Sequence, residues 1–286
     1  MSDPAIAVLP YGNKLGRRLA AVKLDDLNWP LGRPARLRSG TVADLTPADH
    51  LIIYPKTNMH FLPNLGTQAN VTVMVVEPAV IHGRHLRWLR VTHRRFFRVM
   101  TYHQTLLDGI ANGLFLPFGT TWVPEYKDLD LTKTGHMSLI ASGKRDHAGH
   151  LLRHRLVEHV QKTGLDVTVL GRGYAPFERK SDGLAPYRYS VVIENVREKN
   201  YFTEKLVDAV LCESVPIYWG CPNIADFMDT SGMIICETED DVKRAMLDAS
   251  DAQYDGLAIC LRKAKEQAAA FANLELRAAE TLKASL

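Results

Sequence analysis

Short hydrophobic runs alternate with longer amphipathic segments along most of the chain. In the first half, five runs have the length and the Val, Ile, Leu and Phe content of buried β-strands. They cover residues 5–10, 50–54, 71–77, 97–102 and 114–118. Amphipathic stretches predict helices between these strands, at residues 14–22, 83–91 and 104–111.

A polar, turn-rich stretch, residues 126–136, interrupts this alternation and is interpreted as a linker between domains. Beyond it, strands are predicted at residues 137–142, 167–171, 189–194, 216–219 and 233–236. Helices are predicted at residues 149–162, 203–213, 239–249 and, as one long alanine-rich segment, 254–282. Such alternation favours parallel sheets covered on both faces. We therefore expect an α/β protein with two Rossmann-like domains, residues 1–128 and 129–286, and a ligand cleft between them.

Composition narrows the class of protein. Of the 286 residues, 46% are hydrophobic and 23% are charged, which is the balance of an ordinary globular protein. The net charge of +3 is compatible with an anionic substrate but too small to indicate a nucleic-acid partner. The stretch nearest to a G-x-G-x-x-G fingerprint, residues 171–174, lacks the third glycine. A nicotinamide or flavin enzyme is therefore disfavoured.

The cysteines and the lack of a long apolar segment indicate where in the cell the protein is expected. The four cysteines have neither the spacing of a zinc site nor that of a disulfide framework: Cys212, Cys221, Cys236 and Cys260. They predict reduced thiols in a reducing compartment. The first residues do not resemble a secretory signal, and no run approaches the ~18 apolar residues of a membrane-spanning helix. We expect a cytoplasmic protein, at most peripheral to the inner face of a membrane.

The most informative stretch is residues 187–227, in which a buried strand leads through a polar loop to a helix. Thr203 is placed to cap this helix, and Glu204 in its first turn suits the positive end of the helix dipole. The loop then delivers Tyr201, Glu204 and Lys205 to the carboxyl edge of the sheet. A sugar diphosphate could be held there. The plainer alternative is a capped helix with a surface ion pair.

The pattern E-N-x5-Y-F-T-E-K-L from Glu194, followed by V-P-I-Y-W-G-C-P-N-I, resembles the signature of glycosyltransferase family 10. This family contains the α-1,3/1,4-fucosyltransferases and related bacterial enzymes. Residues 97–123 and 137–160 are similar to its preceding blocks, so that the resemblance extends over about residues 70–240. It departs from the family at Gly143, where related sequences often have asparagine.

The resemblance implies a GT-B fold and an enzyme that transfers fucose from GDP-fucose to a glycan hydroxyl, with inversion in a single displacement. A related transferase for another nucleotide sugar, or a catalytically silent sugar-nucleotide or glycan-binding module, is the alternative. The expected acceptor is a glycan or a lipid-linked oligosaccharide. No cofactor or metal is required beyond the donor, because cationic side chains can stabilise the leaving diphosphate.

Motif matching implies donor-site roles for five residues, of which Glu204 and Lys205 are also catalytic: Arg153, Asn195, Tyr201, Glu204 and Lys205. Lys205 offers a point charge and Arg153 a bidentate fork to the diphosphate. Glu204 is suited to accept hydrogen bonds from ribose or sugar hydroxyls. Arg155, two residues further on, is the competing choice for the arginine.

Direct displacement also needs a general base, usually a carboxylate from the opposite domain. Glu77 ends a predicted buried strand where the family places its base glutamate, and Glu125 is the reserve candidate. The alternative is that Glu77 is a surface glutamate before a proline.

Three further features have a plainer and a functional interpretation. Asp128-Leu129-Asp130 imitates a D-x-D metal motif but is expected to be a solvated turn. His136, His147 and His150 lack metal-ligand spacing, although His150 could approach a phosphate at a helix start. Residues 82–98 carry six arginines and three histidines around aromatic residues. They form either a solvated basic helix face or a patch for anionic glycans or a peripheral membrane contact.

Overall fold

Two parallel β-sheets organise the chain. The structure is a computed structural model that describes residues 4–11 and 19–286, and within these residues each sheet has five strands. The chain divides into two units: Met1–Phe118 with Leu274–Leu286, called unit 1, and Gly119–Asn273, called unit 2. Each unit contains one sheet and its helices, so the prediction of two Rossmann-like α/β domains is confirmed.

Unit 1 contains five parallel strands in sequential spatial order, β1-β2-β3-β4-β5. These are β1 Ile6–Val8, β2 His50–Ile53, β3 Asn70–Val75, β4 Val99–Thr101 and β5 Gly113–Phe115. Helix α1 spans Ala79–Thr92 and the single turn α2 spans Gln104–Leu107. The helix predicted at 14–22 lies largely outside the described residues, and its described end is a 3-10 turn, Leu19–Ala21.

Sequential strand order explains how the two faces of this sheet are covered. When each strand lies beside the preceding one, right-handed crossovers all fall on the same face. One face carries Leu51, Val73 and Val99 together with Leu89 of α1. The opposite face, which includes Ile52, Met74 and Met100, packs against Leu274, Ala278, Ala279 and Leu282 of the last helix, α7. That helix spans Leu274–Ala284.

The predicted domain boundary at residue 128 and the assignment of the whole C-terminus to the second domain differ from the structure. Unit 2 begins at Gly119, and α7 returns to unit 1. The stretch interpreted as a linker instead packs on the core of unit 2 through three side chains: Tyr126, Leu129 and Leu131. Lys133 reinforces this attachment by donating hydrogen bonds of 2.7 Å to the carbonyl oxygens of Ala185 and Cys212.

Unit 2 contains β6 Gly135–Ile140, β7 Val167–Leu170, β8 Tyr187–Ile193, β9 Val215–Trp219 and β10 Ile234–Ile235. Its helices are α3 Ala148–Thr163, α4 Glu204–Leu211, α5 Glu239–Asp248 and α6 Asp251–Ala270. The parallel strands lie in the order β10-β9-β8-β6-β7. The chain therefore moves from β6 to one side and returns to the other side at β8.

This reversal between β6 and β8 is a topological switch point, where open α/β sheets form a crevice at the carboxyl ends of their strands. Two loops leave the sheet there. Residues 141–147 join β6 to α3, and residues 194–203 join β8 to α4. Any ligand at this position would contact these two loops and the helix N-termini that follow them.

The predicted long helix at residues 254–282 is two helices, α6 and α7. The break falls at Phe271, whose ring packs edge-on against Phe202 with 5.0 Å between centroids. Just beyond it, the Ala272 carbonyl accepts a hydrogen bond of 3.2 Å from the backbone of Thr121. Over the described part of the chain, no helix is both long and apolar enough to span a membrane.

Candidate active site at the switch point of the second sheet

A buried carboxylate, Glu194, lies at the end of β8 and is fully shielded from solvent. Its Oε1 accepts a hydrogen bond of 2.8 Å from the backbone of Thr203, and its Oε2 accepts one of 2.8 Å from the Thr203 hydroxyl. Burial raises the pKa of Glu194, and the charge of Lys205 opposes that shift. The carboxylate thereby ties the end of β8 to the start of α4 across the loop.

Thr203 is the N-cap of α4, as predicted. Its Oγ1 accepts a hydrogen bond of 3.3 Å from the backbone N–H of Lys205. This satisfies one of the free amides of the first turn. Because the hydroxyl donates to Glu194 and accepts from Lys205, the cap, the buried carboxylate and the cation form one network.

Lys205 lies among acceptors at the start of α4. Its Nζ is 3.1 Å from Thr203 Oγ1, 3.1 Å from Glu204 Oε1 and 3.6 Å from Glu194 Oε2. Burial lowers the pKa of Lys205, but the two carboxylates raise it by more, so it lies above its usual value. Burial raises the pKa of Glu204, but the charges of Lys205 and Lys180 lower it by more, so this pKa lies below its usual value. The predicted pair is largely shielded from solvent rather than a surface ion pair, since the side chain of Glu204 is 6% exposed and that of Lys205 is 22% exposed.

Arg153 approaches the same strand end from α3. Its Nε and Nη2 donate to the carbonyl oxygen of Ile193 at 3.1 and 2.6 Å, and Nη2 also donates to Asn195 Oδ1 at 3.1 Å. Burial lowers its pKa, and the charges of Glu194 and Glu204 oppose this. Arg155, the competing arginine, instead forms a partly exposed ion pair of 2.6 Å with Glu239. The structure thus brings Arg153, and not Arg155, to the switch point.

Close backbone contact at this site depends on two glycines. A Cβ atom on Gly149, in the first turn of α3, would lie 1.7 Å from the Glu194 carbonyl oxygen. The Gly149 N–H donates a hydrogen bond of 2.9 Å to the Asn195 carbonyl. A Cβ atom on Gly220 would lie 2.5 Å from Cγ of Glu194. Glycine is needed at both positions because no side chain fits.

The loop between β8 and α4 is fixed by a reciprocal amide pair. The Asn200 backbone N–H donates a hydrogen bond of 2.8 Å to Asn223 Oδ1, and Asn223 Nδ2 donates one of 2.8 Å to Asn200 Oδ1. Asn200 takes the left-handed conformation, with φ of 63°, which asparagine tolerates better than most residues. Tyr201 is buried behind it, whereas Asn195 is half-buried beside Arg153.

Two charged residues that the sequence did not indicate lie near this network, Lys180 and Asp208. Lys180, in the turn before β8, interacts electrostatically with Glu204 and Asp208. Asp208 Oδ1 accepts hydrogen bonds of 2.6 and 3.0 Å from the Thr121 hydroxyl and the Trp122 backbone. Its buried Oδ2 has no hydrogen-bond partner among the residues that the structure describes. Burial raises the pKa of Asp208 to about 7, although Thr121 and Lys180 act in the opposite direction.

The candidate bases occupy different units. Glu77 lies two residues beyond the end of β3 in unit 1, and its carbonyl oxygen accepts a hydrogen bond of 3.0 Å from His103 Nε2. Burial raises the pKa of Tyr11, and the charge and hydrogen bond of Glu77 add to this, so the carboxylate lies beside that phenol. Glu125, the reserve candidate, lies in unit 2 and accepts a hydrogen bond of 2.8 Å from Ser181. It therefore lies in the same unit as the candidate site.

The D-x-D imitation lies at the surface of unit 2. Asp130 Oδ1 accepts a hydrogen bond of 2.9 Å from the Thr132 backbone, which is the arrangement of an Asx turn. Among residues 4–11 and 19–286, no group of histidine, cysteine, aspartate and glutamate side chains could hold a metal ion. The positive charges of the candidate site come from Lys205, Arg153 and Lys180.

Comparison with known proteins places this site within a recognised family region. Residues 132–246 match the family model described as glycosyltransferase family 10 (fucosyltransferase), C-terminal. The resemblance drawn from Glu194 onward is therefore confirmed for this region of the chain. The matched region contains β6 to β10 and the whole cluster around Glu194, Lys205 and Arg153.

Two relatives share parts of this chain. It is 38% identical over 48 residues to an α-(1,3)-fucosyltransferase from Helicobacter pylori, which is 17% of this chain and 10% of that protein. It is 30% identical over 95 residues to a putative fucosyltransferase-like protein from Arabidopsis thaliana, which is 32% of this chain and 18% of that protein. The alignments thus span a small part of each relative.

Among solved structures, TarM is similar with a TM-score of 0.54 and 13% identity, over 83% of this chain and 54% of that one. At this identity the similarity concerns the fold. Together with the two parallel-sheet units, it confirms the predicted GT-B fold.

Sequence reasoning found the polar residues of the motif but missed several that hold them in place. Glu194 was recognised as the start of the motif and treated as a strand end, although a glutamate between an apolar strand and a capping threonine was the available signal. Lys180 and Asp208 gave no signal, because nothing in a single sequence brings them near Glu204. Gly149 could have been suspected, since glycine in a helix is otherwise unfavourable.

Proposed function

We propose that the protein is an inverting glycosyltransferase that transfers fucose from GDP-fucose to a hydroxyl group of a glycan. The observation that carries this proposal is the buried network of Glu194, Glu204, Lys205 and Arg153 at the switch point of unit 2. The network lies inside the region that matches the fucosyltransferase family. The names of the two relatives support fucose as the sugar.

In this proposal Lys205 and Arg153 hold the diphosphate of the donor. Nη1 of Arg153 makes no hydrogen bond to the described residues, so two of its N–H groups are available to a phosphate oxygen. Lys205 supplies a point charge from the first turn of α4, where the helix dipole also favours an anion. Glu204 accepts hydrogen bonds from hydroxyls of the ribose or the sugar, and Asn195 and Tyr201 shape the pocket.

The reaction follows as a single displacement. The acceptor oxygen forms a bond to the anomeric carbon as the bond from that carbon to the diphosphate oxygen breaks. The electron pair leaves with the diphosphate, and its growing charge is stabilised by Lys205 and Arg153. The acceptor proton passes to Glu77, which we propose as the general base. Attack opposite to the leaving group inverts the anomeric configuration.

We also propose that the acceptor is presented at an anionic membrane surface, as a lipid-linked oligosaccharide or a glycan close to the lipid. The support is a surface of α1 and its following turn. Five exposed arginines lie there: Arg84, Arg87, Arg90, Arg94 and Arg95. No aspartate or glutamate occurs between residues 78 and 104. Exposed apolar side chains accompany them, namely Val91 at 78% exposed, Phe61 at 62% and Val80 at 61%. Such a mixture suits a lipid headgroup layer.

If this proposal holds, the protein should cosediment with vesicles that contain phosphatidylserine and not with neutral vesicles. Added salt should release the bound protein, because it screens the charges. Arg87→Glu should reduce the bound fraction, whereas Lys263→Glu on exposed α6 should not. Equal binding to both vesicle types would contradict it. The cytoplasm remains the proposed location, so the relevant surface is the inner face of the membrane.

The proposed reaction is tested by incubating the protein with GDP-fucose and a panel of glycans, followed by mass spectrometry and NMR. We expect release of GDP and a product whose fucose has the opposite anomeric configuration to that of the donor. If the protein transferred a sugar from a UDP sugar and not from GDP-fucose, the proposed donor would be wrong. Binding of GDP-fucose without transfer to any glycan would favour the binding module over the enzyme.

Glu77→Gln tests the base. The variant should bind GDP as the wild type does but lose transfer by a factor of about 100 to 10,000, the usual contribution of acid–base catalysis. Glu125→Gln serves as the matched control and should retain activity. Full activity of Glu77→Gln would show that another group accepts the proton of the acceptor hydroxyl.

A further inference from the structure

The N-terminus of α3 lies directly against the strand end that carries Glu194. Gly149 makes this contact possible, since its N–H bonds the Asn195 carbonyl at 2.9 Å and its missing Cβ leaves room for the Glu194 carbonyl. Helix α3 has sixteen residues and presents its positive dipole end at the switch point, where the backbone amides of Ala148 and His150 have no partner within the helix. Its N-cap, His147, makes no side-chain cap hydrogen bond.

His150, in this first turn, carries a buried nitrogen atom whose role the contacts described so far do not explain. It is 6% exposed, and its buried Nδ1 has no hydrogen-bond partner among the described residues. Its ring stacks on that of His147, with 5.1 Å between centroids, which places it at the N-terminal end of the helix. A buried polar atom without a partner costs about 1–3 kcal/mol, and such an atom in a folded protein requires an explanation.

The charges around His150 indicate what would satisfy it. Burial, together with the charges of Arg153, His147 and Lys144, lowers its pKa to about 4, and the charge of Asp146 opposes this shift. The neutral imidazole can donate one hydrogen bond from Nδ1. An N–H donor, free helix amides and an excess of positive charge together form a site for an anion.

We propose that His150 is a diphosphate-binding residue, which donates a hydrogen bond from Nδ1 to a phosphate oxygen of the nucleotide donor at the N-terminus of α3. This inference rests on the proposed function, since the diphosphate belongs to the donor. The diphosphate then lies between α3 and α4, with His150 and Arg153 on one helix and Lys205 on the other. Bound negative charge also raises the pKa of His150 above its value of about 4.

Three substitutions at this position separate hydrogen bonding from packing. His150→Phe keeps a planar ring but no donor. His150→Asn places an amide N–H near the position of Nδ1, whereas His150→Gln places it near Nε2. We expect His150→Phe and His150→Gln to weaken GDP binding about tenfold, which corresponds to 1.4 kcal/mol, and His150→Asn to retain most of the affinity. His159→Phe, further along the same helix, is the control and should bind as the wild type does.

Calorimetric titration with GDP, inorganic pyrophosphate and guanosine measures these effects. Binding of GDP and pyrophosphate should fall in His150→Phe, while any affinity for guanosine stays unchanged. The melting temperature of His150→Phe should not fall, because it removes an unsatisfied buried nitrogen. Equal GDP affinity of wild type and folded His150→Phe would overturn this inference and leave the proposed function intact. Absence of GDP binding in the wild type would overturn both.

Discussion

At the scale of single residues, the candidate site is a set of side chains that hold one another. Glu194 binds both the backbone and the hydroxyl of Thr203, and Lys205 lies between Glu194 and Glu204. Lys205 lies within 4 Å of both carboxylates, which limits the cost of removing these three charges from water. A diphosphate would enter this network as a further anion facing Lys205 and Arg153.

Gly149→Ala tests the contact between α3 and the end of β8. In most helices this change stabilises by about 0.5–1 kcal/mol, because alanine restricts the unfolded chain. Here the new Cβ atom meets the Glu194 carbonyl oxygen at 1.7 Å, so the backbone must move apart. We expect a loss of about 2–4 kcal/mol in the free energy of unfolding, measured in urea.

The matched control is Gly256→Ala on α6 of the same unit, where a Cβ would have no neighbour within 4 Å. It should be neutral or slightly stabilising. If Gly149→Ala were as stable as Gly256→Ala, the close approach of the two backbones would be wrong.

Asp208 should give the stability of the protein a distinct pH dependence. Its pKa of about 7 exceeds the value of 3.8 expected in an unfolded chain. Between these values the folded state binds the proton more tightly, so this contribution is complete below about pH 4 and is lost as pH rises through 7. Asp208→Asn carries no such proton. Its stability relative to the wild type should therefore increase between pH 4 and 8, by on the order of 4 kcal/mol.

Urea unfolding of both proteins at several pH values measures this difference. A gap that stays constant from pH 4 to pH 8 would show that Asp208 titrates normally in the folded protein.

The sequence predicted the residues of the motif because their spacing is local. Asn195, Tyr201, Glu204 and Lys205 lie within eleven positions, and the N-cap at Thr203 fixes where the helix starts. The burial of Glu204 and Lys205 could not be predicted, because it depends on Glu194 and Lys180 approaching from other elements. Asp208 likewise owes its environment to Thr121, 87 positions away.

At the scale of elements, strands were predicted well because they are buried on both faces and read as continuous apolar runs. Each of the ten predicted strands overlaps an observed strand of the described chain. Helix ends were less certain. The division between α6 and α7 depends on Phe271 packing against Phe202, a tertiary contact that an alanine-rich helical pattern does not reveal.

The hydroxyl of Thr203, at the capped start of α4, is expected to stabilise the fold. Thr203→Val keeps the shape of the side chain but removes the hydroxyl that donates to Glu194 and accepts from the Lys205 backbone. A buried carboxylate loses a donor, and a helix loses its cap. We expect a loss of about 1–3 kcal/mol in the free energy of unfolding.

Thr203→Ser retains the hydroxyl and should be close to the wild type in the same measurement. Thr238→Val, at the exposed capping box of α5, should cost less, about 1 kcal/mol. If Thr203→Val and Thr203→Ser were equally stable, the hydroxyl would not contribute to the site.

At the scale of the whole molecule, the path of the chain follows from the strand order of unit 1. A sheet with sequential strands leaves one face without crossovers, and α7 covers it after the chain has completed unit 2. The sequence predicted two Rossmann-like domains from the alternation of strands and helices. It placed their boundary at 128 because nothing in residues 119–128 shows that Val123 and Tyr126 pack on the second core.

Leu282→Ala tests the role of α7. The side chain is fully buried against the sheet face that α7 covers, so its truncation should cost about 2–5 kcal/mol. Faster amide hydrogen exchange should appear in β1 to β4 of unit 1. Leu286→Ala, which truncates a side chain that is 55% exposed, should change stability by less than about 0.5 kcal/mol. Unchanged exchange in those strands would show that α7 does not support unit 1.

Calorimetric titration with GDP measures whether unit 2 binds a nucleoside diphosphate at the start of α4, as we propose. We predict saturable binding by the wild type, at least tenfold weaker binding by Lys205→Met, and unchanged binding by Arg155→Met, whose arginine lies in a surface ion pair. Circular dichroism would verify that each variant is folded. Absence of GDP binding in the wild type, or equal affinity in Lys205→Met, would contradict the account.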